Sequence, residues 1–561
     1  MKRFTPLIFK EGTSRLTGRD AQMSNIIAAK AVARVVRSTL GPFGMNKMLV
    51  SSSGDVTVTN DGAEILKNIN VEHPVAKLLV EVAKTQDSEV GDGTTSAVIL
   101  SGALLEMTEK LVESKIHPNI IVEGYKKASE KAEDVLNEIA MSVDLKNNEI
   151  LKHIASTSMG SKDVATEKEN LSKIAVEAVK QIAEESDGNM KADLSNVRVL
   201  KVAGEGLSET ELVKGIVIEG EVDVPNMPKR VEGAKIVLLK KAIDLDRGAI
   251  TFAPRFIIEA PGKRKEFVDN ERKLMTEMVQ KVAESGANVL LCEKAIDMYA
   301  VNFLVRKRIL AVRRIDAKDM EQIAKATGGR IVSHANEISP EALGTAGIVE
   351  ERKIGKNKYI YILDCVSPRS VTVVMRGGEK HVLDEAERSL HDALCAVRNT
   401  IEDPKVVVGG GACESEIAGR IKAYALKFRG REQLAVKAYA EALEVIPTAL
   451  AENAGLDPID MLVELRRRHE KDGGRDYGVD VFSGKIDDMK KLNVLEPLRV
   501  KRQMIRSSNE AVTMIIKIDD LIKSKPLVEK EEGLEDRLKQ RERIKKQVKR
   551  KWSMSPVQVV R

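Results

Sequence analysis

"AKIVLLK", residues 234–240, is the first of four strand-like runs in the middle of a 561-residue chain; "ANVLLC" (287–292), "ILAVRRI" (309–315) and "GRIVS" (329–333) follow, with helical segments between. Strands alternating with helices are the mark of a parallel α/β sheet. Between the first two runs lies a long insertion, "LDRGAITFAPRFIIEAPGKRKEFVDNERKL" (245–274), which sets Phe252, Phe256, Ile257 and Ile258 among basic residues.

On either side of this block the pattern changes. Towards the N-terminus, a helix is expected from about Asp20, its N-cap, to about Leu40, with Ile27, Ala31 and Val35 on one stripe and Ala28, Val32 and Val36 beside it. "TLGPFG" (39–44) stops it, because glycine and proline do not continue a helix. "MLVSSSGDVTVTNDG" (48–62) reads as a hairpin about a Ser-Gly-Asp turn, and helices follow to about residue 143. Towards the C-terminus, from about Ile401, glycine-rich turns and long helices return. The Gly/Asp motifs occupy both outer thirds and are missing from the middle. The two ends are therefore expected to build one site on a helical base, into which the α/β block is inserted.

At roughly 150 residues per domain, the length implies three or four domains. No apolar run approaches the roughly 20 uncharged residues of a membrane span, and the N-terminal "MKRFTPLIFKEGTSR" lacks an apolar leader segment, so a cytoplasmic location is expected. Cys292, Cys365, Cys395 and Cys413 form no CxxC pair, which argues against a disulfide framework or a zinc knuckle and for small buried apolar residues. The net charge of +6 is small beside 91 basic and 85 acidic residues, and aromatic residues are 3%. General nucleic-acid binding is not indicated. A charged fraction of 31% suits a thermophile and suits many mesophilic helical proteins equally.

"VGDGTTSAV" (90–98) opens an apolar helix. Its glycines let the backbone come close to a ligand, N–H groups at the helix start face an anion, Asp92 can ligate Mg²⁺, and Thr94 and Thr95 can donate to phosphate oxygens. The plainer alternative is a loop with a threonine N-cap. "TNDGA" (59–63) offers Asp61 to orient water or metal, or else makes a turn and caps the next helix. "VVVGGGACESE" (406–416) puts three glycines between a strand-like run and a helix, for phosphate or ribose approach or for a tight packed turn. No GxxxxGK[ST], strand-borne GxGxxG, HExxH or GxSxG occurs, and the histidines, His153 and His391 included, stand apart from any ligand set.

In this order "TLGPFGMNKML", "TNDGAEIL", "VGDGTTSAVIL", "LDEAERSLHDAL", "VVVGGGACE" and "NAGLDPIDMLVELR" closely resemble the group II chaperonins, most closely their archaeal thermosome branch, collinearly from about Gly12 to Leu521. The resemblance implies an α+β multidomain subunit. A mainly helical equatorial ATPase domain would span 1–146 and 407–525, and a small α/β intermediate hinge domain 147–216 and 370–406. An α/β apical substrate-binding domain would span 217–369, with a helical lid protrusion at about 244–275. A basic tail would occupy 526–561.

By the same resemblance, Leu40, Gly41 and Pro42 would pack on ATP, and Asp92, Gly93, Thr94, Thr95 and Ser96 would hold Mg²⁺ and phosphates. Gly410 and Gly411 would approach the ribose side, and Glu496 in "NVLEPLRVK" would bond the ribose. Asp392 in "LHDAL" corresponds to the catalytic carboxylate, Asp61 would help place the attacking water, and Lys162 in "STSMGSK" would sense the γ-phosphate. Because Asp392 lies on the intermediate side, hinge closure would complete the site and couple hydrolysis to motion.

The implied partners are non-native protein clients and identical or paralogous subunits, in two stacked rings of roughly eight or nine, with the 48–59 hairpin extending a neighbour's sheet. Phe252, Phe256 and Ile257 are expected to contact clients or neighbouring lids, the alternative being a small helix core. Met298, Tyr299, Asn302 and Phe303 are a second candidate client surface, or else a packing helix.

Two features depart from the family. The protrusion carries Arg247, Arg255, Lys263, Arg264 and Lys265 where an acidic one is common, and the tail is basic rather than Gly/Met-rich. Leu534, Leu538, Ile544, Val548 and Trp552 can form an apolar edge on a tail helix, or the tail is solvated; a basic tail can attract acidic clients or RNA. The rival function is a structural or regulatory ring subunit that does not hydrolyse ATP, against which the presence of Asp61, Asp92 and Asp392 together argues.

Overall fold

The computed structural model describes residues 14–69, 71–160, 167–186, 188–243, 261–366, 370–471 and 473–523. From the N-terminus come α1 (Arg19–Arg37), a hairpin of Lys47–Val50 with Val56–Thr59, α2 (Gly62–Asn68), α3 (Pro74–Val90), α4 (Thr94–Glu113) and α5 (Pro118–Ile139). The cap of α1 is Gly18, and Asp20 sits in the first turn instead. Its buried apolar face includes Ile26, Ala29, Val32, Ala33 and Val36, so Val32 and Val36 of the adjoining stripe face inward as expected, while the stripe of Ile27, Ala31 and Val35 is exposed. Close packing selects the small residues: a methyl group on Gly102 of α4 would lie 2.3 Å from the Ala33 Cβ. α4 is buried on nearly every side, from Ala97 to Leu105, which makes it the central rod of the base.

The chain leaves this bundle through the short strand Met141–Ser142 and forms α6 (Asn148–Ser158), α7 (Lys168–Ile182) and the strand Val197–Ala203. It then enters a seven-stranded sheet with α8 (Pro261–Glu284), α9 (Met298–Arg306) and α10 (Ala317–Thr327). The four expected strands are present as Arg230–Leu239, Val289–Cys292, Leu310–Val312 and Ile331–Val332, and they pair in parallel. The sheet is not parallel throughout. Gly344–Ile354 and Asn357–Cys365 form an antiparallel hairpin on the edge of Arg230–Leu239, and Gly215–Glu219 adds antiparallel beyond it.

The return path runs through Val371–Gly377, parallel to Val197–Ala203, and then α11 (Lys380–Glu402). The strand Lys405–Val408 and helices α12 (Ala412–Ala425), α13 (Arg431–Leu443), α14 (Val445–Asn453), α15 (Pro458–His469) and α16 (Leu498–Ile516) complete the base. Outgoing and returning chain meet where Met141–Ser142 pairs with Lys405–Val406.

Three large apolar cores and two small clusters follow this path among the described residues. The first joins α1 to α5 with α12, α13 and α16, the second joins α6, α7 and α11, and the third surrounds the seven-stranded sheet. The strand Lys405–Val408 stands between two of them: Val407 belongs to the base core, while Val406 and Val408 belong to that of the second unit. The period-2 alternation of a strand thus makes it a wall with one face in each.

Candidate nucleotide site

Two helices begin with glycine at the same cleft. Gly93 caps α4 with φ 75°, Gly411 caps α12 with φ 77°, and neither helix has a side-chain cap. The N–H groups that open α4 have no side-chain cap and face the cleft at the end where the helix dipole favours negative charge, whereas at α12 the Ala412 N–H donates to the Gly409 carbonyl at 3.2 Å and only the N–H groups after it remain. The alternative of a threonine N-cap at 94 is therefore not what forms; Thr94 is already helical. Gly410, with φ 65°, lies against Met489, and Gly41, with φ 81°, lies where a Cβ would be 2.4 Å from Leu450 Cδ2. Asn453 Nδ2 pins the loop before it by donating to the carbonyls of Leu40 (2.8 Å) and Arg37 (3.0 Å).

The cleft has a volume of ≈ 510 Å³ and is lined by Leu40, Gly41, Pro42, Asp92, Gly93, Ser96, Gly410, Gly411 and Glu496. That size lies in the range of small-ligand sites. It continues into a compartment of ≈ 80 Å³ where Asp61, Asp92 and Asp392 meet Thr94, Thr95 and Ser96. Each carboxylate comes from a different element. Asp92 Oδ1 accepts from the Gly93 N–H at 2.6 Å, and its carbonyl accepts from Gln86 Nε2 at 2.9 Å. Asp61 does cap α2, accepting from the Glu64 N–H at 2.9 Å, so its plainer reading is also realised. Gly62 lets that turn lie against α4: a Cβ there would be 2.4 Å from Thr95 Oγ1.

Asp392 arrives on α11, from the second unit. The same helix grips the end of α3, two residues before Asp92: Asn399 Nδ2 donates to the Val90 carbonyl at 2.7 Å, and Arg398 Nη2 to that of Glu89 at 3.2 Å. Gly91, with φ 68°, packs so closely that a Cβ would be 2.2 Å from Cys395 Sγ. Burial pushes the Cys395 thiol up to about 12, which leaves it an inert packing group.

Among the described residues no cluster of three or more His, Cys, Asp or Glu side chains could hold a metal by itself. Asp92 at the cleft is the kind of single carboxylate through which Mg²⁺, keeping its waters and taking phosphate oxygens from a ligand, is bound. Uncapped helix starts and Asp92 fit a magnesium nucleotide.

Lys162, Phe252, Phe256 and Ile257 lie outside the described residues, as do Arg247, Arg255 and the basic tail. Lys263, Arg264 and Lys265 fall on α8. On α9, Met298 and Asn302 are exposed, while Tyr299 and Phe303 are half-buried with rings 5.2 Å apart. Arg272 lies over Tyr299 at 5.5 Å and Arg306 over Phe303 at 5.4 Å, so guanidinium groups cover part of that apolar face. The exposed stripe is accordingly more polar than the four side chains suggest.

Sequence reasoning missed the cleft's far wall. Val479, Asp480, Phe482, Met489, Asn493 and Val494 line it, on and beside the hairpin Tyr477–Asp480 with Lys485–Asp488. Phe482 is exposed and lies 5.6 Å, centroid to centroid, from Phe43. The alternation of "YGVDVFSGKID" about a Ser-Gly pair was the available signal. Lys168, at the start of α7, also lines the cleft, and burial holds its ammonium below the ordinary value.

Nested units thus meet around a glycine-bounded cleft, and a helix of the second unit completes its anionic end. The TCP-1/cpn60 chaperonin family matches residues 32–526, and the chain belongs to it. Thermosome subunit beta of Archaeoglobus fulgidus is 51% identical over 527 residues, covering 94% of this chain and 96% of that one. The thermosome subunits of Methanopyrus kandleri (50% identical, 93% and 95% covered) and Pyrococcus horikoshii (47%, 94% and 95%) are similar along the same length. The chain is a group II chaperonin subunit, a protein-folding chain.

Proposed function

We propose that this subunit hydrolyses ATP and uses the hinge at α11 to drive closure over a non-native protein. The observation that carries this reading is the meeting of Asp61, Asp92 and Asp392 in one small compartment at the start of α4. Leu40, Gly41 and Pro42 pack on the nucleotide, Gly410 and Gly411 admit its ribose side, and Glu496 accepts from ribose hydroxyls. The N–H groups of α4 with Thr94, Thr95 and Ser96 hold the phosphates, and Lys162 senses the terminal one. Magnesium, with Asp92 as its protein ligand, supplies charge neutralisation on the phosphates. Asp61 and Asp392 orient the water, and Asp392 takes its proton as the water adds to the γ-phosphorus and the bond to ADP breaks, leaving inorganic phosphate.

Residues 1–146 and 407–525 form the nucleotide-binding domain, 147–216 and 370–406 the hinge, 217–369 the client-binding domain, and 526–561 a basic tail. Met298 and Asn302, flanked by Tyr299 and Phe303, give clients a surface of mixed polarity, and the lid at 244–275 adds Phe252, Phe256 and Ile257. The exposed edge of the Lys47–Val50 and Val56–Thr59 hairpin pairs with a neighbouring subunit in a double ring. No helix among the described residues is long and apolar enough to cross a membrane, and the proposed location is the cytoplasm. Asp392→Ala tests the reading. Phosphate release is expected to fall by at least about 10²-fold, as loss of a general base costs, with ADP affinity retained; unchanged turnover would remove Asp392 from the mechanism.

A further inference from the structure

A buried charged triad lies under the cleft at Glu496. Lys501, on the first turn of α16, donates from Nζ to Glu414 Oε1 at 2.7 Å and lies 2.8 Å from Glu496 Oε2. The side chains of Lys501 and Glu414 are 6% and 1% exposed, against 23% for Glu496. Burial alone would pull the Lys501 ammonium down; the two carboxylates outweigh it and raise it instead, so the lysine stays charged.

Three elements meet here: Glu414 opens α12, Glu496 is held on the strand Leu495–Pro497 by pairing with Val407, and Lys501 comes from α16. Glu414 Oε2 has no hydrogen-bond partner among the described residues. A buried ionic network of this kind is weak evidence for stability, since apolar packing of the same volume serves as well or better. Its place beside a cleft is what suggests a role.

The geometry of Glu496 supplies that role. One oxygen is fixed by Lys501, and the other, Oε1, lies against Gly409, where a Cβ would come within 2.7 Å of it. Gly409 precedes the Gly410–Gly411 edge of the cleft, so the absent side chain leaves this oxygen its place. We propose that Lys501 is a positioning residue that fixes the Glu496 carboxylate towards the ribose hydroxyls and thereby sets the preference for ribonucleotides over deoxyribonucleotides. Without the lysine, the carboxylate turns to solvent or to another donor, and the hydroxyls lose an aligned, charged acceptor. The proposal rests on the reading of the cleft given above.

The test is the affinity of the full chain for ADP, 2′-deoxy-ADP and 3′-deoxy-ADP by calorimetry. Lys501→Met leaves two buried carboxylates without a cation, so Lys501→Met combined with Glu414→Gln is measured beside it, with Glu414→Gln and Glu496→Gln as references. The unmodified chain is expected to prefer ADP by about tenfold or more, the worth of a hydrogen bond to a charged group. Glu414→Gln should keep that preference, because Lys501 and Glu496 still pair. The double variant should lose about tenfold of it through weaker ADP binding alone, its affinity for the deoxynucleotides being unchanged. A folded double variant with the preference intact, while Glu496→Gln abolishes it, overturns the role of Lys501 and spares that of Glu496. An intact preference in Glu496→Gln as well removes Glu496 from ribose recognition, and an unmodified chain that binds no ADP sinks the nucleotide reading itself.

Discussion

Gly91 shows how much the site depends on single atoms. It ends α3 with φ 68° and sits on Cys395 with no room for a Cβ. Gly91→Ala adds strain in the left-handed region and a clash with sulfur, at a cost of about 1–3 kcal/mol, and it pushes α11 away from the Asp92 loop. A lower melting temperature together with slower ATP turnover is the expected outcome; a variant with wild-type melting would show that the contact yields freely. Residues of this kind differ in how far the sequence discloses them. Asp92, Thr94 and Thr95 are legible because they are contiguous and open a helix. Lys501 and Asn399 are not, since their meaning lies in partners 87 and 309 positions away, and neither residue type is unusual where it stands.

Among the elements, the joint between α13 and α14 ties four helices together. Glu444 accepts from Lys422 of α12 at 2.7 Å and from Arg466 of α15 at 2.7 and 2.5 Å. Burial acts to raise its carboxyl, but Arg466 and Lys422 prevail and hold it below the ordinary value. A carboxylate depressed on folding contributes stability that is fully present above its unfolded value, roughly 4.3, and is lost as pH falls through the lower folded value. Glu444→Gln should therefore cost about 1–3 kcal/mol at neutral pH, and less as the unmodified protein is acidified. Denaturant melts at pH 7 and pH 3 check this; a difference that grows towards acid would reverse the sign. The helices themselves were readable from apolar spacing, yet α1 presents the stripe of small residues rather than Ile27 and Val35. Spacing identifies a helix and leaves open which of two adjoining stripes faces inward when a close crossing decides. In the sheet, the run "EERKIGKNKY" (350–359) breaks the alternation with charges, so the antiparallel half gave no sign of itself.

At the scale of the whole molecule, the nesting of units was legible because the glycine and aspartate motifs are confined to the outer thirds. The exposed apolar side chains of Met48, Val50, Val56 and Val58 on an isolated two-stranded hairpin, 36–69% accessible, ask for a partner. With Mg²⁺ and ATP, a complete double ring built from this chain alone would run near a megadalton, roughly sixteen to eighteen copies under closed symmetry. Native mass of the purified chain is the measurement; a monomer or small oligomer would mean that the ring requires paralogous subunits.

The base core also imposes an order of events on synthesis. Its first five helices leave the ribosome long before α12, α13 and α16, the helices that cover them, have been translated. The seven-stranded sheet unit, whose core residues all lie before α11, can complete its own core in that interval. The nascent chaperonin therefore waits with an apolar face uncovered for most of its translation. A protein built to shelter unfinished chains is, while it is being made, a chain in need of shelter.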